Sequence, residues 1–219
     1  IYTYNLYDCN IDYFNIINTK EKAYWLGFVF ADGYVDNVGS SFTLNLSPVD
    51  YNHLVKFNKC INSTYPIKRY NNNRYVCLHV CRKKFVSNLI DKGCVTKKSL
   101  ILKFPSEDKL PKYLIKYFIL GYFDGDGCLS TILRKPKNRP NLYMYCELNM
   151  LGTFDMLLNI KNNLPFCDFN IKKFGNIYKF RVQNKLHIIE ILDYLYMDSP
   201  IFLDRKYNKY INNIKNYIK

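Results

Sequence analysis

Alternation of apolar and polar positions marks four strands along the chain. Phe42, Leu44 and Leu46 alternate with Ser41, Thr43, Asn45 and Ser47, and Val76, Leu78 and Val80 alternate with Cys77, His79 and Cys81. Side chains two apart share one face of a strand, so each segment predicts a sheet with one buried and one wet side. In the second half Cys146, Leu148 and Met150 alternate with Tyr145, Glu147 and Asn149, and Phe180 and Val182 with Lys179 and Arg181. Helix-like segments near 49–61 and 152–163 follow the first strand signal of each half.

The halves are copies of one pattern. Ala23-Tyr-Trp-Leu-Gly-Phe-Val-Phe-Ala-Asp-Gly33 is echoed by Phe118-Ile-Leu-Gly-Tyr-Phe-Asp-Gly-Asp-Gly127, with Gly27 and Gly33 matching Gly121 and Gly127. Lys97-Lys98-Ser99 is echoed by Arg205-Lys206-Tyr207. Each half therefore reads as helix, two strands, helix, two strands, then one or two helices. Helices against one face of an antiparallel sheet make an α+β lobe. The expected architecture is two pseudo-symmetric αββαββα lobes, each with a four-stranded antiparallel sheet, over 1–104 and 105–219. The segment 99–115, with Pro105 and Pro111, reads as the linker, and Pro111 suits the first turn of the second repeat helix.

The repeat helix predicts its own chemistry. Asn18 as N-cap with Glu21 three residues on fits a capping-box start, and Gly33 and Gly127 fit a stop in which glycine takes a left-handed conformation. Gly27 and Gly121 fall inside the helices, where glycine costs about 1 kcal/mol relative to alanine. Close approach of the two helix backbones would offset that cost. Such packing brings Asp32 and Asp126 side by side at two helix C-termini, where the dipoles disfavour negative charge. A bound cation relieves the conflict, and carboxylate and carbonyl oxygens suit Mg²⁺ or Mn²⁺.

Charge narrows the partner. Lys and Arg number 32 against 18 acidic residues, a formal net charge of +14, which points to a polyanion and above all to nucleic acid. With 48% hydrophobic and 17% aromatic residues the chain is a folded basic protein and not a disordered tail. It has no apolar run of membrane-spanning length and no signal-peptide pattern at residues 1–10, so no membrane partner is expected. The eight cysteines form no C-x-x-C pair and read as reduced, mostly buried thiols of an intracellular protein. Abundant Asn, Ile, Lys and Tyr suggest an AT-rich genome of phage, organellar or bacterial origin.

Through Trp25-Leu-Gly-Phe-Val-Phe-Ala-Asp-Gly33 and Ile119-Leu-Gly-Tyr-Phe-Asp-Gly-Asp-Gly127 the chain resembles the LAGLIDADG homing endonucleases of the two-motif, monomeric type. The resemblance implies that the paired motif helices form the lobe interface and that the two sheets form a saddle over double-stranded DNA. It implies metal-dependent cleavage of both strands of a long asymmetric site, with short 3′ overhangs. Asp32 and Asp126 match the metal-binding aspartates, the carbonyls of Ala31 and Gly125 the backbone ligands, and Lys98 and Lys206 the basic residue each lobe contributes near the scissile phosphates. Lys97 and Arg205 remain alternatives to those lysines. Phe30 departs from the pattern, since many members carry an aspartate there, as this chain does at Asp124. A non-catalytic or bifunctional binder of the same fold, acting on intron RNA or as a DNA-binding regulator, is the alternative reading.

Alternation also predicts which side chains face DNA. Thr43, Asn45, Cys77 and His79 in one lobe, and Tyr145, Glu147, Asn149, Lys179 and Arg181 in the other, lie opposite the apolar set. Lys68 and Lys172 join them on neighbouring segments, and the run 134–140 adds Arg134, Lys135, Lys137 and Arg139. In the major groove, where base pairs are distinguishable, Arg181 suits guanine and Glu147 suits cytosine.

Overall fold

The computed structural model describes residues 6–36, 38–96, 100–135 and 143–218. The first lobe runs α1 (Lys20–Asp32), β1 (Gly33–Val35), β2 (Phe42–Leu46), α2 (Tyr51–Cys60), β3 (Lys68–Tyr70), β4 (Tyr75–Val80) and α3 (Lys83–Asp91). The second runs α4 (Ile115–Asp126), β5 (Gly127–Arg134), β6 (Tyr143–Gly152), α5 (Phe154–Asn162), β7 (Ile171–Phe174), β8 (Ile177–Val182), α6 (Lys185–Tyr196) and α7 (Asp204–Asn213). Each lobe holds a four-stranded antiparallel sheet, ordered β1-β2-β4-β3 in one and β5-β6-β8-β7 in the other. The expected α+β architecture of two equivalent lobes is therefore present.

The register follows the predicted alternation. Leu44 pairs with Leu78 and Leu148 with Val182, all on the buried face, while Thr43 pairs with His79 and Asn149 with Arg181 on the other. Phe42, Leu44, Val76, Leu78 and Val80 pack in the first lobe, and Leu148, Met150, Phe180 and Val182 in the second. Burying a large apolar side chain stabilises by about 1.5–3 kcal/mol, so these rows fix which face turns inward.

Helices α1 and α4 pack against each other between the lobes, and the continuous stretches 23–31 and 117–124 of the two are buried. The interior glycines make this possible. A Cβ at Gly27 would lie 1.9 Å from the Phe118 carbonyl oxygen, and one at Gly121 would lie 1.9 Å from the Tyr24 carbonyl oxygen. Beside this contact Phe30 meets Phe118 edge to face, with ring centroids 5.2 Å apart. Phe30 is thus interface packing, which accounts for its departure from the aspartate pattern.

Three expectations change. The N-cap of α1 is Thr19, whose hydroxyl accepts from the Lys22 amide at 3.2 Å, and not Asn18; Glu21 instead accepts from the Tyr13 hydroxyl at 2.9 Å. Gly33 and Gly127 are extended, at φ −69° and −79°, so no left-handed stop occurs. Both are required for space: a Cβ at Gly33 would lie 2.7 Å from the Val29 carbonyl oxygen, and one at Gly127 would lie 2.5 Å from that of Phe123. The thiols are free as expected, but only Cys9, Cys77, Cys94 and Cys146 are buried; Cys60 is partly covered and Cys81, Cys128 and Cys167 are exposed. Pro111 precedes a short 3₁₀ turn, Lys112–Leu114, that leads into α4. Among the described residues no helix is long and apolar enough to cross a membrane.

Candidate active site

Because α1 and α4 cross in backbone contact and end together, their terminal acids share one location. Asp32 and Asp126 are the last residues of the two helices, and both are exposed. A Cβ at Gly125 would lie 2.3 Å from the Ala31 Cβ and 3.3 Å from Asp32 Oδ2, so glycine leaves one helix end bare beside the other's carboxylate. The Tyr122 hydroxyl donates to the Leu151 carbonyl at 2.9 Å. Burial, and then the charges of Asp126 and Asp32, push its phenol well above the ordinary range, which places it beside both acids. A cavity of about 190 Å³ opens next to Asp126, lined in part by Ala31, Tyr122, Leu151 and Thr153.

The donors at this point are two carboxylates and the carbonyls at the helix ends. Among the described residues no group of three or more His, Cys, Asp or Glu side chains assembles to hold a metal. An oxygen-only set in an exposed cleft fits a hard divalent cation that keeps part of its water shell, and the C-terminal helix dipoles add to its attraction.

Lys206 and Arg205, adjacent on α7, do different things. Arg205 Nε sits 2.9 Å from both carboxylate oxygens of Asp50, bridging the lobes. Lys206 is buried and points at the end of α4: its ammonium donates to the carbonyls of Phe123 at 2.6 Å and Asp124 at 2.7 Å, reaches that of Gly125 at 3.5 Å, and also meets that of Gly127. Burial lowers its pKa to about 8 against the opposing charge of Asp124, and the Asp32 carboxylate also acts on it. Of the two basic residues, Lys206 is the one at the paired helix ends. Lys98 and its neighbour Lys97 lie outside the described residues, as do Lys137 and Arg139.

Behind the helix ends runs a buried polar chain that sequence reasoning missed. The Tyr24 hydroxyl donates to Asp124 Oδ2 at 2.8 Å and lies 3.0 Å from His53 Nε2, while the Leu203 amide donates to the same Asp124 oxygen at 2.8 Å. With the phenol proton on Asp124, neutral His53 is the donor to the phenol oxygen. Burial raises the Asp124 carboxyl to about 6, opposed by Lys206. Burial also lowers His53 to about 3, and the charges of Lys56, Arg205 and Lys206 act in the same direction. A folded pKa below the unfolded value means that the unfolded chain binds the extra proton between about pH 6.5 and 3, so His53 costs stability as pH falls through that window. His53→Gln keeps a donor for Tyr24 and removes the titration. The stability gap between wild type and the variant, from urea unfolding at a series of pH values, should shift against wild type by about 1.4 kcal/mol per pH unit below 6.5. A gap constant with pH would mean that His53 charges in place.

The outer sheet faces carry the remaining predicted residues. In the first lobe Thr43, Asn45, Lys68, Cys77 and His79 share this face, with the Thr43 hydroxyl 2.9 Å from His79 Nδ1. Cys77 is on the expected side but buried, at the floor of a hollow of about 210 Å³ walled by Tyr65, Lys68 and Tyr70. In the second lobe Tyr145, Glu147, Asn149, Lys172, Lys179 and Arg181 share the outer face. Asn149 too is covered, its amide donating to Glu147. Lys172, Lys173, Lys179, Arg181 and Gln183 line a concavity of about 560 Å³. Arg134 closes β5, and the exposed Lys135 follows it. Exposed Tyr34, Cys128 and Ile132, together with Gln183, belong to the same faces and were not predicted; for Gln183 the signal was there, one two-residue step beyond Arg181.

Two αββαββα lobes joined through glycine-packed helices, with paired acids at the helix ends between two open sheet faces, make up the fold of the LAGLIDADG homing endonucleases. The I-SmaMI LAGLIDADG homing endonuclease bound to cleaved DNA superposes with a TM-score of 0.63 at 14% identity, covering 90% of this chain and 88% of that one. I-SmaMI bound to an uncleaved DNA target with calcium ions gives 0.63 at 14%, covering 90% and 89%. The LAGLIDADG meganuclease I-AabMI bound to uncleaved DNA gives 0.60 at 12%, covering 84% and 86%. At the level of sequence, no family model and no curated relative matches the chain.

Proposed function

We propose that this protein is a metal-dependent endonuclease that cuts both strands of a long, asymmetric DNA site as a monomer, leaving short 3′ overhangs. The observation that carries the reading is the meeting of Asp32 and Asp126 at two adjacent helix ends, from equivalent positions of two unlike lobes. Two exposed acids in a chain of net charge +14 repel the very polyanion the chain attracts, and only cation-assisted phosphate chemistry makes use of them. The DNA-bound state of the solved structures of this fold supports the same partner.

Asp32 and Asp126, with the carbonyls of Ala31 and Gly125, would hold Mg²⁺ or Mn²⁺. When bound, such ions lower the pKa of a coordinated water and stabilise the leaving oxygen. Tyr122 and the packed helix ends keep the two carboxylates in place. Lys206 neutralises the negative end of α4 and, with Lys98 as its counterpart in the first lobe, supplies positive charge near the reacting phosphates. The outer sheet faces grip the duplex on either side, with Lys68, Lys172 and the run from Arg134 to Arg139 contacting phosphates and the central strands reading bases.

A randomised duplex library incubated with the purified chain tests the reading. With Mg²⁺, one long sequence should be cut on both strands with short 3′ overhangs, and excess EDTA should reduce cutting at least about a hundredfold. Selective binding of a sequence without cleavage would instead make the chain a non-catalytic binder of this fold.

A further inference from the structure

Glu147 is out of place on a surface meant for DNA. It stands on the outer face of β6, beside the Asn149–Arg181 pair, where its charge would face a polyanion. Its two oxygens are, however, already engaged. The Asn149 amide donates to Oε1 at 2.9 Å and the Lys179 ammonium lies 3.8 Å from the same oxygen. Arg181 Nη1 and the Gln183 amide each donate to Oε2 at 3.3 Å. A carboxylate offers about four lone-pair sites, so little acceptor capacity is left to turn outward.

The donors are in the opposite condition. Arg181 is exposed and uses one of its five N–H groups on Glu147, leaving enough for a paired contact to guanine. Lys179 and Gln183 also keep donors to spare, and with Arg181 they line the cationic concavity of this lobe. Long side chains lose much rotamer freedom when a ligand fixes them, and a group that fixes them beforehand removes that cost from binding. We propose that Glu147 is a positioning residue that reads no base itself and holds Arg181 in its reading pose, while Asn149, Lys179 and Gln183 hold Glu147 in place. This rests on the proposed function, in that it takes the outer sheet face as the DNA-reading surface, and it replaces the cytosine contact expected of Glu147 from sequence.

The probe is the duplex that the wild-type chain selects from a randomised library. Binding to every single-base-pair variant of it is measured in Ca²⁺, so that cleavage plays no part, for wild type, Arg181→Ala, Glu147→Gln, Glu147→Ala and the double variant Glu147→Gln/Arg181→Ala. Both Glu147 variants should lose about tenfold of preference at the same base pairs as Arg181→Ala. The double variant should lose no more than Arg181→Ala alone, while affinity for unrelated duplex holds or rises as a negative charge leaves the face. Thermal unfolding should be unchanged, separating this role from a merely structural one. Loss of preference at a pair that Arg181→Ala leaves intact would show that Glu147 reads a base, and an unaltered profile would show that it positions nothing; either overturns the inference. An unaltered profile for Arg181→Ala itself would instead remove the outer face as the reading surface, and the inference with it.

Discussion

Asp32→Asn and Asp126→Asn will each abolish double-strand cleavage while leaving DNA binding in Ca²⁺ within a few-fold of wild type. The substitution keeps the shape of the side chain and removes its charge, so helix packing at Ala31 and Gly125 is undisturbed. What is lost is half of the only pair of acids brought together at the two helix ends among the described residues. Metal-assisted stabilisation amounts to several kcal/mol of transition-state energy, so each variant should be slower by at least about a thousandfold. Single-turnover cleavage of the selected target, with binding measured in parallel, checks both halves of the expectation. Full cutting by either variant would remove the assignment.

The second large effect is on folding. Alanine is a better helix former than glycine by about 1 kcal/mol, so propensity alone predicts that Gly27→Ala and Gly121→Ala stabilise the protein. Geometry opposes this, and more strongly. Each added Cβ would fall 1.9 Å from a carbonyl oxygen of the opposing helix, and backbone cannot swing aside as the tip of a side chain can. Overpacking a well-filled core typically costs about 1–3 kcal/mol, and a clash against backbone in the central interface belongs at or beyond the top of that range. Denaturant unfolding of either variant should show a net loss of about 3 kcal/mol or more, or no cooperative native state. Equal or greater stability would mean that α1 and α4 do not meet at these positions.

The parts of the fold governed by short-range periodicity were legible in the sequence. The strand faces followed from two-residue alternation, and the helix interface followed from two glycines whose only plausible use was backbone contact. The caps were less legible, because Asn18 and Thr19 are both good N-caps, and Glu21, whose spacing favoured Asn18, is engaged by Tyr13 instead. The stops at Gly33 and Gly127 were located correctly for the wrong reason, since a sequence does not distinguish a glycine needed for its φ from one needed for space. Least legible were contacts made by the tertiary fold. Tyr24 and Asp124 are a hundred positions apart, and nothing local marks either as buried and paired. Lys206 reads as a surface charge in a basic chain, yet it is buried because four carbonyls at the end of α4 stand in for water. Glu147 read as an acceptor for a base for the same reason: apart from Asn149, its partners arrive from β8 and the residue after it.

The lobe interface also carries a mating rule. Tyr24 and Phe118 occupy equivalent places in the two motif helices, as do Phe30 and Asp124, so symmetry makes Tyr24 with Asp124 the counterpart of Phe118 with Phe30. One side is closed by a hydroxyl on a carboxylate and the other by two rings. Two copies of the second lobe set face to face would put Asp124 against Phe118 on both sides, burying a carboxylate that has lost the hydroxyl of Tyr24. Two copies of the first would put Tyr24 against Phe30, leaving the phenol without its carboxylate and with His53 as partner, which could accept only in its other tautomer. Only unlike lobes complete both pairs, so identity at the interface is discriminated by side chains as well as by the covalent link. The two unlike outer sheet faces are thereby locked into a single order along the molecule, which gives it a direction.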